Sequence, residues 1–297
     1  MQFFFEVLIG GLLSGVMYSL VALGFVLIYK ASGVFNFAQG SLVFFAALTF
    51  VGITELGLDF WLALPATLVV MILAGMAIER MVLRPLINQP QITLFMATIG
   101  LSFLIEGLAQ LVWGASVRGL DLGVPDEPLQ WIADSVGINV SKFDLMTAGV
   151  ATVLVTTLAV FFNRTRIGRA LRAVADDHQA ALAVGIPLQQ IWAIVWAVAG
   201  GVALVAGMLW GARNGVQFAL TFVALKALPV LILGGFESIP GAIVGGLIIG
   251  ASEKLAEVYL GPYVGGGIEG WFPYVLALLF LLVRPEGLFG EKIIRRI

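Results

Sequence analysis

Apolar residues along this chain gather into long windows separated by short polar stretches. The windows run over 7–29, 34–53, 61–83, 92–113, 143–162, 189–211, 218–234, 240–260 and 271–283. A helix needs roughly 20 mostly apolar residues to cross the hydrocarbon core of a bilayer, so the pattern predicts an all-α polytopic bundle of about nine spans. Two windows depart from it. The window 34–53 opens on the polar Asn36 and Gln39, and 218–234 is short and carries Lys226 and Pro229. Either is a candidate for a broken or re-entrant segment, which is tolerated only where protein or a water-filled cavity satisfies the backbone.

The polar stretch 163–187 is the largest departure from the pattern. It opens with Arg164, Arg166, Arg169 and Arg172, and then holds a segment with a start and a stop signal. Asp176 and Asp177 are placed to cap a first turn, and Gly185 followed by Pro187 ends it. A short, capped, cationic helix between two spans reads as a docking point. A second polar stretch, 114–142, holds Asp121, Asp126, Glu127 and Asp134 with Pro125 and Pro128. It is long enough for a small lid or a partner surface, and equally for a solvated connector.

Composition places the chain in lipid: it is 60% hydrophobic and 11% charged over 297 residues, against about 25% charged in a soluble domain. A net charge of -2 gives no basic tract for nucleic acid. Cysteine is absent and there is a single histidine, His178, which excludes disulfides and thiolate metal sites. No cationic stretch precedes the first apolar window, so that window is expected to stay as a span. Lys30, Arg80, Arg84, the insert arginines, Arg284, Lys292, Arg295 and Arg296 fall on one side of a nine-span arrangement, against Arg118, Lys142 and Arg213 on the other. The excess of basic residues marks the cytoplasmic side. The expectation is a single transmembrane domain over 1–297, with 114–142 external, 163–187 cytoplasmic, the N-terminus outside and the C-terminus inside.

Groups for bond chemistry are scarce. There is no phosphate-binding G-x-x-x-x-G-K-[ST] loop, no H-E-x-x-H and no G-x-S-x-G. Acids lie within or beside spans at Glu79, Glu106, Glu253 and Glu257. Glu79 beside Arg80, and Glu253 beside Lys254, read as snorkelling or paired interfacial groups. Glu106 is the most interior and is the candidate for a proton relay. Asn36, Gln39 and Ser41 offer neutral hydrogen-bonding groups at the start of the second window. Thr98 and Ser102 share one face of the fourth at i, i+4. These five are candidate lining for a solute path, and any one of them serves as well as packing glue between helices. Glycine pairs at four-residue spacing, Gly11/Gly15, Gly207/Gly211, Gly241/Gly245 and Gly246/Gly250, read as close helix contacts, within the bundle or at a subunit interface.

Several motifs together resemble one family. The stretches 33–40 (GVFNFAQG), 97–102 (ATIGLS), 225–227 (LKA), 233–241 (LGGFESIPG) and 284–290 (RPEGLFG) are similar to those of permease subunits from bacterial branched-chain amino acid ABC importers, the LivH type. The resemblance runs over about 8–290, and Gln39 stands where the family usually has histidine. It implies no ATPase site on this chain and no cofactor, ATP being bound by two partner subunits. It also implies a second, related permease and an extracytoplasmic solute-binding protein. The E-A-A-x-x-x-G pattern of the family's coupling helix is echoed in Gln179-Ala180-Ala181-Leu182-Ala183-Val184-Gly185. The resemblance thereby makes Asp176, Asp177, Gln179, Ala180, Ala181, Leu182, Val184, Gly185 and Pro187 the ATPase contact, with Arg169 and Arg172 in support. Branched-chain or other hydrophobic amino acids are the implied cargo. Urea or short-chain amides, carried by closely similar permeases, are the alternative. An ion-coupled secondary transporter and an intramembrane enzyme are the rival classes.

Overall fold

A computed structural model describes residues 2–86, 89–176 and 178–290. In chain order the helices are α1 (Gln2–Ser32), α2 (Gln39–Glu55), α3 (Phe60–Ile78), α4 (Gln91–Trp113), α5 (Gln130–Val136), α6 (Lys142–Arg164), α7 (Arg166–Asp176), α8 (His178–Ala183), α9 (Leu188–Asn214), α10 (Val223–Gly234), α11 (Ile239–Val264) and α12 (Phe272–Val283). Among the described residues no strand forms, and isolated β-bridges join Arg118 to Val216 and Pro128 to Ser141. The all-α bundle expected from the apolar windows is therefore what the chain adopts.

The nine windows do not all hold helices of spanning length. Six helices have the length and apolarity to cross a membrane, namely Gln2–Ser32, Phe60–Leu86, Gln91–Trp113, Lys142–Arg164, Leu188–Asn214 and Ile239–Val264. The windows at 34–53, 218–234 and 271–283 instead hold the shorter helices Gln39–Glu55, Phe218–Gly234 and Phe272–Val283. The six helices of spanning length and the three shorter apolar ones together occupy the nine apolar windows of a multi-pass membrane protein.

The described residues fall into two compact units, one drawn from Met1–Ala22, Asp121–Leu154 and Leu225–Ile297, the other from Leu23–Leu120 and Val155–Ala224. In the first unit, the N-terminal part of α1 crosses α11 at glycines. A methyl group added at Gly11 would meet the Gly250 carbonyl oxygen at 2.7 Å, and one at Gly246 would meet the Gly15 oxygen at 2.6 Å. The Ser19 hydroxyl donates to the Gly15 and Ile243 carbonyls beside this crossing. Gly245 lies equally close to the Val230 oxygen of α10, at 2.6 Å from an added methyl. Without a hydrophobic drive between helices in lipid, close backbone approach supplies the contact energy. The glycine pairs are thus used within the chain, and the subunit interface suggested for them is not needed to explain them.

In the second unit α2 is the hub. Its residues Gln39–Gly52 are buried almost without exception, and Gly207 of α9 approaches the Val43 oxygen. α3 packs on α9 in the same way, with Gly200 against the Met71 oxygen. A helix buried on every side has its apolar surroundings supplied by protein, so 17 residues are enough. Residues 33–38, ahead of α2, are unwound, and each break in the helical ladder finds a partner. Gly33 takes a left-handed φ of 66°. Asn36 Oδ1 accepts from the Ala38 N–H at 3.1 Å. The Thr98 hydroxyl accepts from the Phe37 N–H at 3.1 Å and approaches the Phe35 carbonyl at 3.3 Å.

Candidate functional site

The candidate path residues Asn36, Gln39, Ser41, Thr98 and Ser102 come together in the second unit, where α2 lies along α4. All are buried. Asn36 Nδ2 donates to Gln39 Oε1 at 3.4 Å, and Gln39 Nε2 is buried without a hydrogen-bond partner. The Gln39 amide sits over Gly24, where any side chain would collide with it. Ser41 and Ser102 hydroxyls lie 2.7 Å apart. Both converge on Glu106 Oε1, from Ser41 at 2.7 Å and from Ser102 at 3.2 Å. The acid treated in sequence as separate from the neutral residues is thus part of one cluster with them. The i, i+4 spacing of Ser102 and Glu106 carried that signal; the contribution of Ser41 came only with the packing of α2 on α4.

About one helical turn further along α2 and α4 from Ser41 and Glu106 begins a cavity of about 300 Å³, lined by Phe44 and Leu48 of α2, Gln110 and the turn that follows α4, and Gln217 and Phe218. Phe44 and Phe218 meet edge to face, centroids 6.5 Å apart. The Arg118–Val216 bridge ties the turn after α4 to the segment after α9, and Arg118 also pairs with Glu55 and the Trp113 carbonyl.

Of the other acids, Glu257 accepts from the Gly267 and Glu269 N–H groups, both at 3.0 Å, whereas Glu79 and Glu253 have cationic partners, though not the ones adjacent in sequence. Glu79 is held by Arg84, with Nε at 3.1 Å from Oε1 and Nη2 at 2.9 Å from Oε2, and not by Arg80. The π-helical turn Glu79–Leu83 brings residues five apart onto one side. In the first unit Glu253 pairs with Lys226 at 3.0 Å, while Lys254 pairs with Glu269 at 2.9 Å. Adjacent residues on a helix point about 100° apart and do not face each other, which is why both neighbour pairings fail.

The arginine-led insert folds as two helices rather than one. Arg166, Arg169 and Arg172 lie within α7, whose Gly168, Leu171 and Val174 are buried. Arg172 donates to the Phe162 carbonyl at 2.8 Å and to Asn163 Oδ1 at 3.3 Å, clamping α7 to the end of α6, while Arg169 is exposed. Asp176 is the last residue of α7 and so does not cap a following first turn; the amphipathic run of α7 is longer than the capping signal implied. Asp177 and the side chain of Gln179 lie outside the described residues, as do Lys292, Arg295 and Arg296.

The stop signal of α8 is as expected. The Ile186 N–H bonds to the Ala181 carbonyl and the Gly185 N–H to the Leu182 carbonyl, both at 3.0 Å, with Gly185 at φ 84°. That is the paired 6→1 and 5→2 closure of a Schellman turn. Ala181 is 2% exposed, and Leu182 and Val184 are 54% and 75% exposed. A stub of helix is thus anchored by Ala181 and presents aliphatic side chains outward, with Ala180 and Pro187 on its open side.

A family model described as the branched-chain amino acid transport system permease component matches residues 7–284. The high-affinity branched-chain amino acid transport system permease protein LivH of Salmonella typhimurium is 28% identical over 99% of this chain and 98% of its own length. LivH of Escherichia coli and BraD of Pseudomonas aeruginosa, carrying the same description, are each 29% identical over the same shares.

Proposed function

We propose, since the chain belongs to the permease-component family of branched-chain amino acid transport systems, that it forms one transmembrane half of an ATP-binding-cassette importer of branched-chain or other hydrophobic amino acids. In this reading a second, related permease completes the path. Two separate ATPase subunits bind ATP, and an extracytoplasmic protein delivers solute. The membrane is the bacterial inner membrane, with 163–187 and the C-terminus cytoplasmic, and the N-terminus and 114–142 outside. The observation that carries the coupling role is α8: a short helix, stopped by a Schellman turn, with Leu182 and Val184 standing out of the protein.

Exposed aliphatic side chains on a polar connection are costly in water and useful in a cleft. Ala180, Leu182, Val184, Gly185 and Pro187 form the contact, anchored from behind by the buried Ala181, with Asp176, Asp177 and Gln179 at its start. Arg172 positions it from behind and Arg169 is free to meet acidic ATPase surface or anionic lipid. ATP-driven closure of the ATPases moves this stub, and the path switches between faces because the ATPases contact the two states differently.

The test is co-purification. Gly185→Val forces a β-branched residue into a left-handed φ, and Ala181→Trp fills a buried position. Both variants are expected to insert normally and to lose the ATPase subunits. Normal amounts of ATPase bound to both would remove the assignment.

A further inference from the structure

We infer that Glu106 receives the ammonium group of a zwitterionic solute, and that the adjoining cavity takes the rest of an aliphatic amino acid. This rests on the importer reading above and narrows its cargo. Glu79 and Glu253 have basic partners, whereas Glu106 has none among the described residues. Its two hydrogen bonds, from Ser41 and Ser102, both reach Oε1, and no described residue bonds Oε2. The hydroxyls thus fix the carboxyl group and leave one oxygen for a donor from outside. An intramembrane acid faces a bundle interior or a water-filled cavity and takes a partner there.

The cavity supplies the remaining chemistry. Gln110 lines it and lies one helical turn from Glu106, roughly 6 Å along the axis of α4. Phe44, also in the lining, is nearly one turn from Ser41 on α2. The two walls that hold Glu106 therefore continue into the cavity. Phe44, Leu48 and Phe218 offer an apolar surface for a branched side chain, and Gln110, Gln217 and Ser116 offer donors for a carboxylate. A volume of about 300 Å³ is at the small end of ligand pockets. Urea and neutral amides can donate N–H groups to a carboxylate but bring no positive charge to compensate it, so this arrangement favours an amino acid's ammonium over them.

Glu106→Gln is the decisive variant, because glutamine keeps the shape and the Oε1 acceptor for both serines and removes only the charge. The complete importer, with both permeases, the ATPases and the binding protein, is reconstituted in proteoliposomes and supplied with labelled leucine and ATP. The variant is expected to lower leucine uptake per ATP hydrolysed by at least about tenfold. Subunit stoichiometry and binding-protein-stimulated ATP hydrolysis should stay near wild type, and Glu106→Asp should restore part of the uptake. Should Glu106→Gln disturb assembly by itself, Gln110→Leu tests the cavity alone and is expected to reduce leucine uptake with hydrolysis intact.

Wild-type leucine uptake by the Glu106→Gln complex overturns the inference. So does loss of the second permease from that complex while Gln110→Leu transports normally, which makes Glu106 a subunit-pairing group. If the wild-type complex shows no ATP-driven uptake of leucine, the importer reading for amino acids falls, a result separate from any effect of the variants.

Discussion

Lys226 Nζ and Glu253 Oε1 lie 3.0 Å apart on α10 and α11, and the Tyr18 hydroxyl of α1 donates to the same oxygen at 3.1 Å. The ammonium also lies 5.8 Å from the centre of the Tyr18 ring. Three helices of the first unit therefore meet at one ion pair. Glu253 is 1% exposed, and removing a cation from beside a buried acid is far more costly than removing the pair. Lys226→Met is expected to destabilise the protein by about 2–3 kcal/mol, below the full buried-pair figure because Lys226 is partly open. Lys226→Met with Glu253→Gln is expected to recover most of that loss. Melting in detergent, read as a double-mutant cycle, measures it, and additive losses would show that the pair is not coupled.

The glycine crossing of α1 and α11 gives a steric prediction. Gly15→Val drives a branched side chain into the backbone of α11 at Gly246. Overpacking of this kind costs about 1–3 kcal/mol or more when the neighbour is backbone. Gly10→Ala, where an added methyl meets nothing within 4 Å, is the matched control. Size-exclusion profiles of the two variants are expected to differ, with monodisperse protein only from the control.

Thr98 is expected to hold the unwound segment 33–38. Thr98→Val keeps the shape and strands the Phe37 N–H, which bonds to that hydroxyl, at a cost of about 1–3 kcal/mol. Thr98→Ser should be close to neutral. Amide exchange at Phe37 is the local readout, and unchanged protection in Thr98→Val would show that another group holds this backbone.

Leu182→Asp separates docking from folding. Leu182 is exposed, so the melting temperature is expected to stay within about 0.5 kcal/mol equivalent of the parent chain. ATPase binding should fall sharply, because a carboxylate is then forced into an apolar cleft. Intact binding would move the contact away from α8.

How far the sequence spoke can be judged residue by residue. The stop of α8 at Gly185 was legible because a Schellman turn is local: its bonds join residues within five positions. The start signal at Asp176 and Asp177 stands just ahead of α8, which begins at His178, but it did not reveal that a second helix, α7, runs up to Asp176, because capping signals act only over one turn. The same limit applied to Glu79, whose π turn turned it from Arg80 to Arg84. The motifs 233–241 and 284–290 stood apart in sequence. Within the first unit they pair, the Leu288 and Phe289 N–H groups bonding the Leu233 and Gly234 carbonyls at 2.8 and 3.1 Å.

The sequence by itself determined the class of protein and the positions of its elements. Hydropathy over roughly 20 residues is a property of composition and requires no knowledge of neighbours. Tertiary structure alone decided which apolar windows reach spanning length and which acids have cations. It also decided that Ser41, Ser102 and Glu106 form one site. Each of those depends on which helix faces are brought together, and close approach in this chain is set by glycines whose partners lie as far off in sequence as Gly250 is from Gly11.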